Sequence, residues 1–219
     1  MKFTRDEIRR SMLLYAVTDR AWLKPGETLP QVAGAVLQSG ATFLQIREKD
    51  LDEAAFEAEA EQLRRLCEAR RVPFVVNDSV EIALRCGADG VHVGQSDIRG
   101  RDIRAMIGPD RILGISAGTV AEAQAAEAAG ADYIGVGAIF ATGTKKDARN
   151  LTMDALQAIR AAVTIPVVAI GGISAANIDQ LAGSGVDGVA VVSAIFAAED
   201  PAAATAHLRE KAEKLFGHG

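Results

Sequence analysis

The chain has 219 residues, 49% hydrophobic, 24% charged and only 5% aromatic, which is enough apolar material for one aliphatic core and too much for a disordered chain. Its 24 Lys+Arg against 29 Asp+Glu, spread along the chain, leave a net charge of −5 and no basic footprint for a nucleic-acid backbone. Apolar runs such as Val167-Val168-Ala169-Ile170 fall far short of the roughly 20 residues of a membrane-spanning helix, and Met12 to Ala16 is too short for the apolar part of a signal peptide, so a cytoplasmic protein is expected.

Short apolar runs recur with helical stretches between them, and they are continuous rather than alternating, as expected of parallel strands covered on both faces. In chain order the strands are expected at residues 13–18, 43–47, 74–77, 90–93, 112–116, 133–136, 167–170 and 188–192. The helices that follow them are expected at 29–38, 52–70, 80–86, 98–107, 120–129, 153–162, 177–182 and 202–216. Asp52 and Thr119 read as N-caps, because their side-chain oxygens can accept from otherwise unpaired helix N–H groups. Cys67 and Cys86 sit in helical segments without CxxC or His spacing and read as buried structural thiols.

Four segments share a pattern ahead of the even-numbered strands: Gly40-Ala41-Thr42, Gly87-Ala88-Asp89, Gly130-Ala131-Asp132 and Gly185-Val186-Asp187. A glycine there can end a helix in the left-handed conformation, and the polar third residue can close the turn into the strand. Four copies on alternate units favour a closed (β/α)8 barrel over an open doubly wound sheet, as one domain over 1–219 with 1–10 as an N-terminal extension.

In such a barrel the chemistry belongs at the C-terminal ends of the strands. The second strand runs into Gln45-Ile46-Arg47-Glu48-Lys49, where a period of two puts Gln45, Arg47 and Lys49 on one face; a charged loop entering the helix at Asp52 is the plainer alternative. The third ends in Asn77-Asp78 and the fourth leads to Asp97. Mg²⁺ favours one or two carboxylates plus phosphate oxygens and water, a set that Asp78, Asp97 and a diphosphate can supply. Asp97 can equally cap the helix expected from Ile98.

His92 alternates with Val91 and Val93 and should point inward, as a hydrogen-bonded core histidine or a wall of the substrate pocket, while His207 and His218 lie far from this face. No GxSxG elbow is present, which disfavours acyl chemistry. After the sixth strand, Thr142-Gly143-Thr144-Lys145-Lys146-Asp147 suits an anion, or is simply a solvated loop. Gly171-Gly172 after the seventh strand and Val192-Ser193 after the eighth occupy the usual phosphate positions of a barrel. Two anion sites, and hence two phosphorylated substrates, are implied.

Taken together, Gln45-x-Arg47-x-Lys49, Asn77-Asp78, Gly90-x-His92-x-Gly94-Gln95-x-Asp97, Gly114-x-Ser116, Thr142-x-Thr144-Lys145-Lys146-Asp147, Gly171-Gly172-Ile173 and Ser193-Ala194-Ile195 resemble the thiamin-phosphate synthase family over Tyr15 to Ile195. The resemblance implies Mg²⁺-dependent condensation of hydroxymethylpyrimidine diphosphate with thiazole phosphate, giving thiamin phosphate and pyrophosphate. It implies that Asp78 and Asp97 hold Mg²⁺, that Arg47, Lys49, Asn77 and Lys145 contact the diphosphate, and that Gln45 and Ser116 orient the aminopyrimidine. Thr142, Thr144, Gly171, Gly172, Val192 and Ser193 are implied for the thiazole phosphate.

Two departures stand out: Ala141 where the family often has proline, and Gly118 where histidine is common. The missing histidine disfavours a related thiazole tautomerase. A sugar-phosphate isomerase or aldolase shares only the fold and its glycine loops, and an aldolase needs a Schiff-base lysine on a strand. A non-catalytic binding barrel stays open, as does a homo-oligomeric state.

Overall fold

The computed structural model describes residues 2–141 and 151–217. Eight parallel strands close a barrel in chain order: β1 (Leu14–Val17), β2 (Phe43–Ile46), β3 (Phe74–Asn77), β4 (Gly90–Val93), β5 (Ile112–Ala117), β6 (Tyr133–Val136), β7 (Val167–Ile170) and β8 (Gly188–Val191). The helices are α1 (Arg5–Ser11), α2 (Leu29–Gln38), α3 (Glu53–Glu68), α4 (Val80–Arg85), α5 (Ile103–Ile107), α6 (Val120–Ala128), α7 (Met153–Ala161), α8 (Ser193–Phe196) and α9 (Pro201–Phe216). The (β/α)8 barrel expected from the sequence is the fold observed.

Most helices start at a side-chain cap. Asp52 accepts from Ala55 N at 2.9 Å and Thr119 from Glu122 N at 3.1 Å, as expected, and each such cap is worth about 1 kcal/mol. The buried residues of α2, Leu29, Val32, Ala33, Val36 and Leu37, recur at three- and four-residue spacing and bury one stripe against the sheet.

The Gly-x-x repeat does more than close a turn. Gly40, Gly87, Gly130 and Gly185 all take positive φ, between 69° and 112°, which releases each helix into the next strand. The polar residue two places on then reaches back to the preceding strand: Thr42 Oγ1 accepts from Leu14 N, Asp89 from Phe74 N, Asp132 from Leu113 N and Asp187 from Val167 N, at 2.8 to 3.0 Å. Each copy thus staples the start of an odd-numbered strand to its even-numbered neighbour.

Two expectations need correction. The helix expected over 98–107 begins only at Ile103: Asp102 is its cap, and Gly100 at φ 72° breaks the earlier stretch. Residues 177–182 shrink to a 3-10 turn, Ile178–Leu181. Within the N-terminal extension, Thr4 and Glu7 form a capping box for α1, whose Ile8 joins Phe3 and Met12 in the interior cluster with Tyr15, Phe43 and Tyr133. The extension therefore closes the N-terminal end of the barrel.

Candidate active site at the barrel mouth

The loop after β2 is set by the side chains that do not face the mouth. Glu48 turns away, pairs with Arg20, and accepts main-chain N–H groups of Lys49 and Asp50 at 2.8 and 2.9 Å. Burial alone raises its carboxyl, but the Asp50 N–H, the Arg20 guanidinium and the Lys49 N–H outweigh this and hold it below the ordinary glutamate value. Arg20 also grips Glu59 of α3, at 2.8 and 2.9 Å. With Glu48 buried against Arg20, Lys49 is exposed and its Nζ reaches Asp78 Oδ2 at 2.7 Å. Arg47 is half-buried, its main-chain N–H donating to Thr18 Oγ1 at 3.0 Å.

Asp78 follows β3 at φ 62°, a left-handed conformation that Asp tolerates better than most residues, and its N–H donates to His92 O at 2.8 Å. Asp97 lies on the next loop. It caps no helix: its Oδ2 accepts from Gly94 N at 2.8 Å, closing the turn after β4. The capping role considered for it belongs to Asp102.

Below these charges, polar side chains meet inside the barrel. Register pairs Asn77 with His92 and His92 with Gly114, so alternate residues of β3, β4 and β5 face inward together. Gln45 is buried, and its Nε2 donates to Tyr15 Oη at 2.6 Å. Tyr15 Oη and Tyr133 Oη are 2.8 Å apart, Tyr133 Oη is 2.9 Å from His92 Nδ1, and His92 Nε2 is 2.9 Å from Ser116 Oγ. Burial pushes both phenols above their ordinary range, so each keeps its proton. Gln95 Nε2 donates to Ser116 O at 2.6 Å and ties the loop after β4 to the end of β5.

On the opposite rim, the loop after β6 lies on the glycines that follow β7. Ile139 N donates to Ile170 O at 3.1 Å and Phe140 N to Gly171 O at 3.0 Å. Gly171 and Gly172 have φ of 103° and 65°, and a Cβ would stand 2.6 Å from Ala138 at the first and 2.5 Å from Ala141 O at the second. No other residue fits this backbone approach. Asn177 fixes it further, donating from Nδ2 to Gly172 O and accepting from Ser174 N, both at 2.8 Å. Val192 precedes α8 without a side-chain cap, and Ser193, the first residue of α8, is exposed. Thr142, Thr144 and Lys145 lie outside the described residues.

The structure therefore joins Lys49 to Asp78 and links Gln45, His92 and Ser116 through two tyrosines that the sequence reading did not single out. Asn177 was missed, and Gln95 was quoted within a motif without a role; both act on loops, where no periodicity marks a partner. Cys67 and Cys86 are buried and free, and burial raises both thiols, in keeping with the structural role expected. A cleft of about 600 Å³ opens at the other, N-terminal end, between α1, α2 and α9 and away from these groups. No helix among the described residues is long and apolar enough to cross a membrane.

A closed parallel barrel with cations and carboxylates on one side of its C-terminal mouth and a glycine cradle on the other defines a (β/α)8-barrel protein suited to phosphorylated ligands. The thiamine monophosphate synthase family model matches residues 14–195. A thiamine-phosphate synthase of Clostridium beijerinckii is 45% identical over 92% of this chain and 96% of its own length, and that of Alkaliphilus oremlandii is 46% identical over 92% and 93%. The thiamine phosphate pyrophosphorylase of Pyrococcus furiosus superposes with a TM-score of 0.88 at 37% identity, covering 96% of this chain and all of that one. The chain belongs to the thiamine monophosphate synthase family.

Proposed function

We propose that the protein condenses hydroxymethylpyrimidine diphosphate with thiazole phosphate to give thiamin phosphate and pyrophosphate. One observation carries the reading: two anion-suited regions face each other across one mouth, with Lys49 and Asp78 on one rim and the Gly171-Gly172 cradle on the other. Arg47, Lys49 and Asn77, with Lys145, contact the diphosphate. Gln45 and Ser116 orient the aminopyrimidine, and His92 braces them. Gly171, Gly172, Val192 and Ser193, with Thr142 and Thr144, take the thiazole phosphate.

Asp78 and Asp97 would hold Mg²⁺. The donor set suits it: two carboxylates on neighbouring loops match an ion that draws its other oxygens from diphosphate and water. When bound, Mg²⁺ neutralises charge on the diphosphate. The carbon–oxygen bond to diphosphate breaks first, the electron-rich pyrimidine carries the positive charge, and the thiazole nitrogen forms the new carbon–nitrogen bond. Arg47 and Lys49 steady the departing anion, and the two rims hold the rings at reacting distance, so positioning and electrostatics do the catalysis. The tautomerase alternative gains nothing: Gly118 offers only its N–H, which donates to Glu122 Oε2 at 2.6 Å. Charged, phosphorylated substrates and products suit a cytoplasmic enzyme.

The test is a mass-spectrometric assay of purified protein with both substrates, with Mg²⁺ and with chelator. Equal, Mg²⁺-dependent release of thiamin phosphate and pyrophosphate is expected. Absence of both products from folded protein that binds the substrates would overturn the reading.

A further inference from the structure

The cleft at the N-terminal end of the barrel, about 600 Å³ and remote from the mouth, is lined by four arginines, Arg10, Arg70, Arg71 and Arg209, and by one acid, Glu7. Glu7 is already engaged: its Oε2 accepts the Thr4 N–H at 2.8 Å in the capping box of α1, and its Oε1 accepts from Arg71 at 3.3 Å. Four cations less one carboxylate leave this cleft with an excess of three positive charges, in a chain whose net charge is −5. Two of the guanidinium groups are half-buried and held in place by main-chain carbonyls, with N–H groups to spare: Arg209 Nη1 donates to Gly40 O at 2.9 Å, and Arg70 Nη1 to Leu66 O at 3.2 Å. Arg10 is exposed, and among the described residues its side chain enters no hydrogen bond or ion pair.

The backbone gives a second sign. The turn that ends α3 has Arg71 at φ 52°, with Arg71 N donating to Glu68 O at 3.1 Å and Val72 N to Cys67 O at 3.0 Å. At the ends of α2, α4 and α6 the left-handed residue is Gly40, Gly87 and Gly130, because an L side chain rarely adopts that conformation. Among the described residues only Asp78, at the mouth, shares the departure. Glycine would make the same turn without strain, so the turn does not account for Arg71, whereas a ligand for its side chain does. Beside the arginines, Leu37, Ala41, Val72 and Pro73 give the cleft an apolar wall.

We infer that this cleft is a second anion site, separate from the barrel mouth, that takes a diphosphate group, either free or esterified to a small organic body. A diphosphate carries several negative charges, and its oxygens accept paired guanidinium N–H groups. The volume exceeds what the diphosphate alone fills, and the apolar wall suits the body of an ester. None of this depends on the reaction proposed above.

The test is isothermal titration calorimetry with inorganic pyrophosphate and with adenosine diphosphate, in chelator and at about 0.15 M salt. Lys49→Ala disables the mouth, and Arg10→Gln combined with Arg71→Gly disables the cleft. Expected is one-to-one binding that survives Lys49→Ala and weakens at least about tenfold in the double variant. The melting temperature of the double variant should hold or rise, since glycine relieves the turn. Tighter binding of adenosine diphosphate would uphold the site with an organic body on the apolar wall, and equal binding would uphold it for the bare diphosphate. Binding lost in Lys49→Ala and untouched in the double variant would place the anion at the mouth and overturn the proposal. Binding seen only at low salt would overturn it too, as bare charge attraction, and so would no saturation with either probe below about 1 mM.

Discussion

Lys49 Nζ and Asp78 Oδ2 stand 2.7 Å apart across the loops that follow β2 and β3. Both side chains are substantially exposed, at 50% and 36%, so this ion pair contributes little to folding. On the function proposed above its meaning is positional: the cation and the carboxylate assigned to one diphosphate already stand side by side.

Asp78→Ala is expected to leave the melting temperature nearly unchanged and to lower turnover about a hundredfold, with more Mg²⁺ needed for half-maximal rate. Asp97→Ala should act in the same direction and also loosen the turn at Gly94. Initial rates measured across a Mg²⁺ titration check both. Full activity of the two variants at limiting Mg²⁺ would remove the metal assignment.

Gly172→Ala places a methyl group 2.5 Å from Ala141 O at a φ of 65°. The strain, about 1 to 3 kcal/mol, must be relieved by moving the loop after β6 off its cradle. A raised KM for thiazole phosphate, a modestly lower melting temperature and an unaltered KM for pyrimidine diphosphate are the expected results. Ser193→Ala should raise the same KM without the stability loss. Kinetics with each substrate varied in turn check the pair.

Asp187 is the repeat's most heavily used acid: it accepts from Val167 N at 2.8 Å and pairs with Arg9 of α1. Asp187→Ala strands a buried strand N–H and unties α1 from the bottom of the barrel, a loss of about 3 kcal/mol. Urea denaturation should show it, with activity retained in the folded fraction. A change below experimental error would show that α1 is held by its apolar residues alone.

Glu48 supplies a pH dependence. Its folded-state carboxyl lies below the ordinary value of 4.5, so its contribution is fully present above that value and is lost as pH falls through the lowered one. Melting temperatures of the wild type and Glu48→Gln should differ by a constant amount on descending from pH 7, and the gap should close in the acid range. A gap independent of pH would mean that the Arg20 contact is not electrostatic.

Strand positions were legible because each strand is a short continuous apolar run, and the repeat ahead of β2, β4, β6 and β8 marks alternate units. The fold's own rule that strand C-termini carry the chemistry says where to look for candidates, and the meeting of Lys49 with Asp78 at the mouth agrees with it. What failed was local or long-range. Residues 98–102 carry enough helical pattern to mislead, and Gly100 and Asp102 are what stop it. Residues 5–11 offer mainly Ile8 to the interior, too little periodicity to mark a helix, although Thr4 and Glu7 spell a capping box. The meeting of Tyr15 and Tyr133 spans 118 positions and depends on closure of the whole barrel, which no local pattern reports.

Inside the barrel, below the mouth, a Cβ at Gly114 would lie 2.2 Å from Tyr133 Cζ and 2.5 Å from His92 Nδ1, and this fit constrains how the pocket can change. Wherever a bulky ring on one strand fills the hollow left by a glycine on the next, neither partner can vary alone without a collision or a void. Searches that alter one position at a time will find the floor of the pocket almost immutable. Recasting it for a larger heterocycle calls for libraries that exchange ring and glycine together, so that bulk moves from one stave of the barrel to its neighbour while the total stays constant.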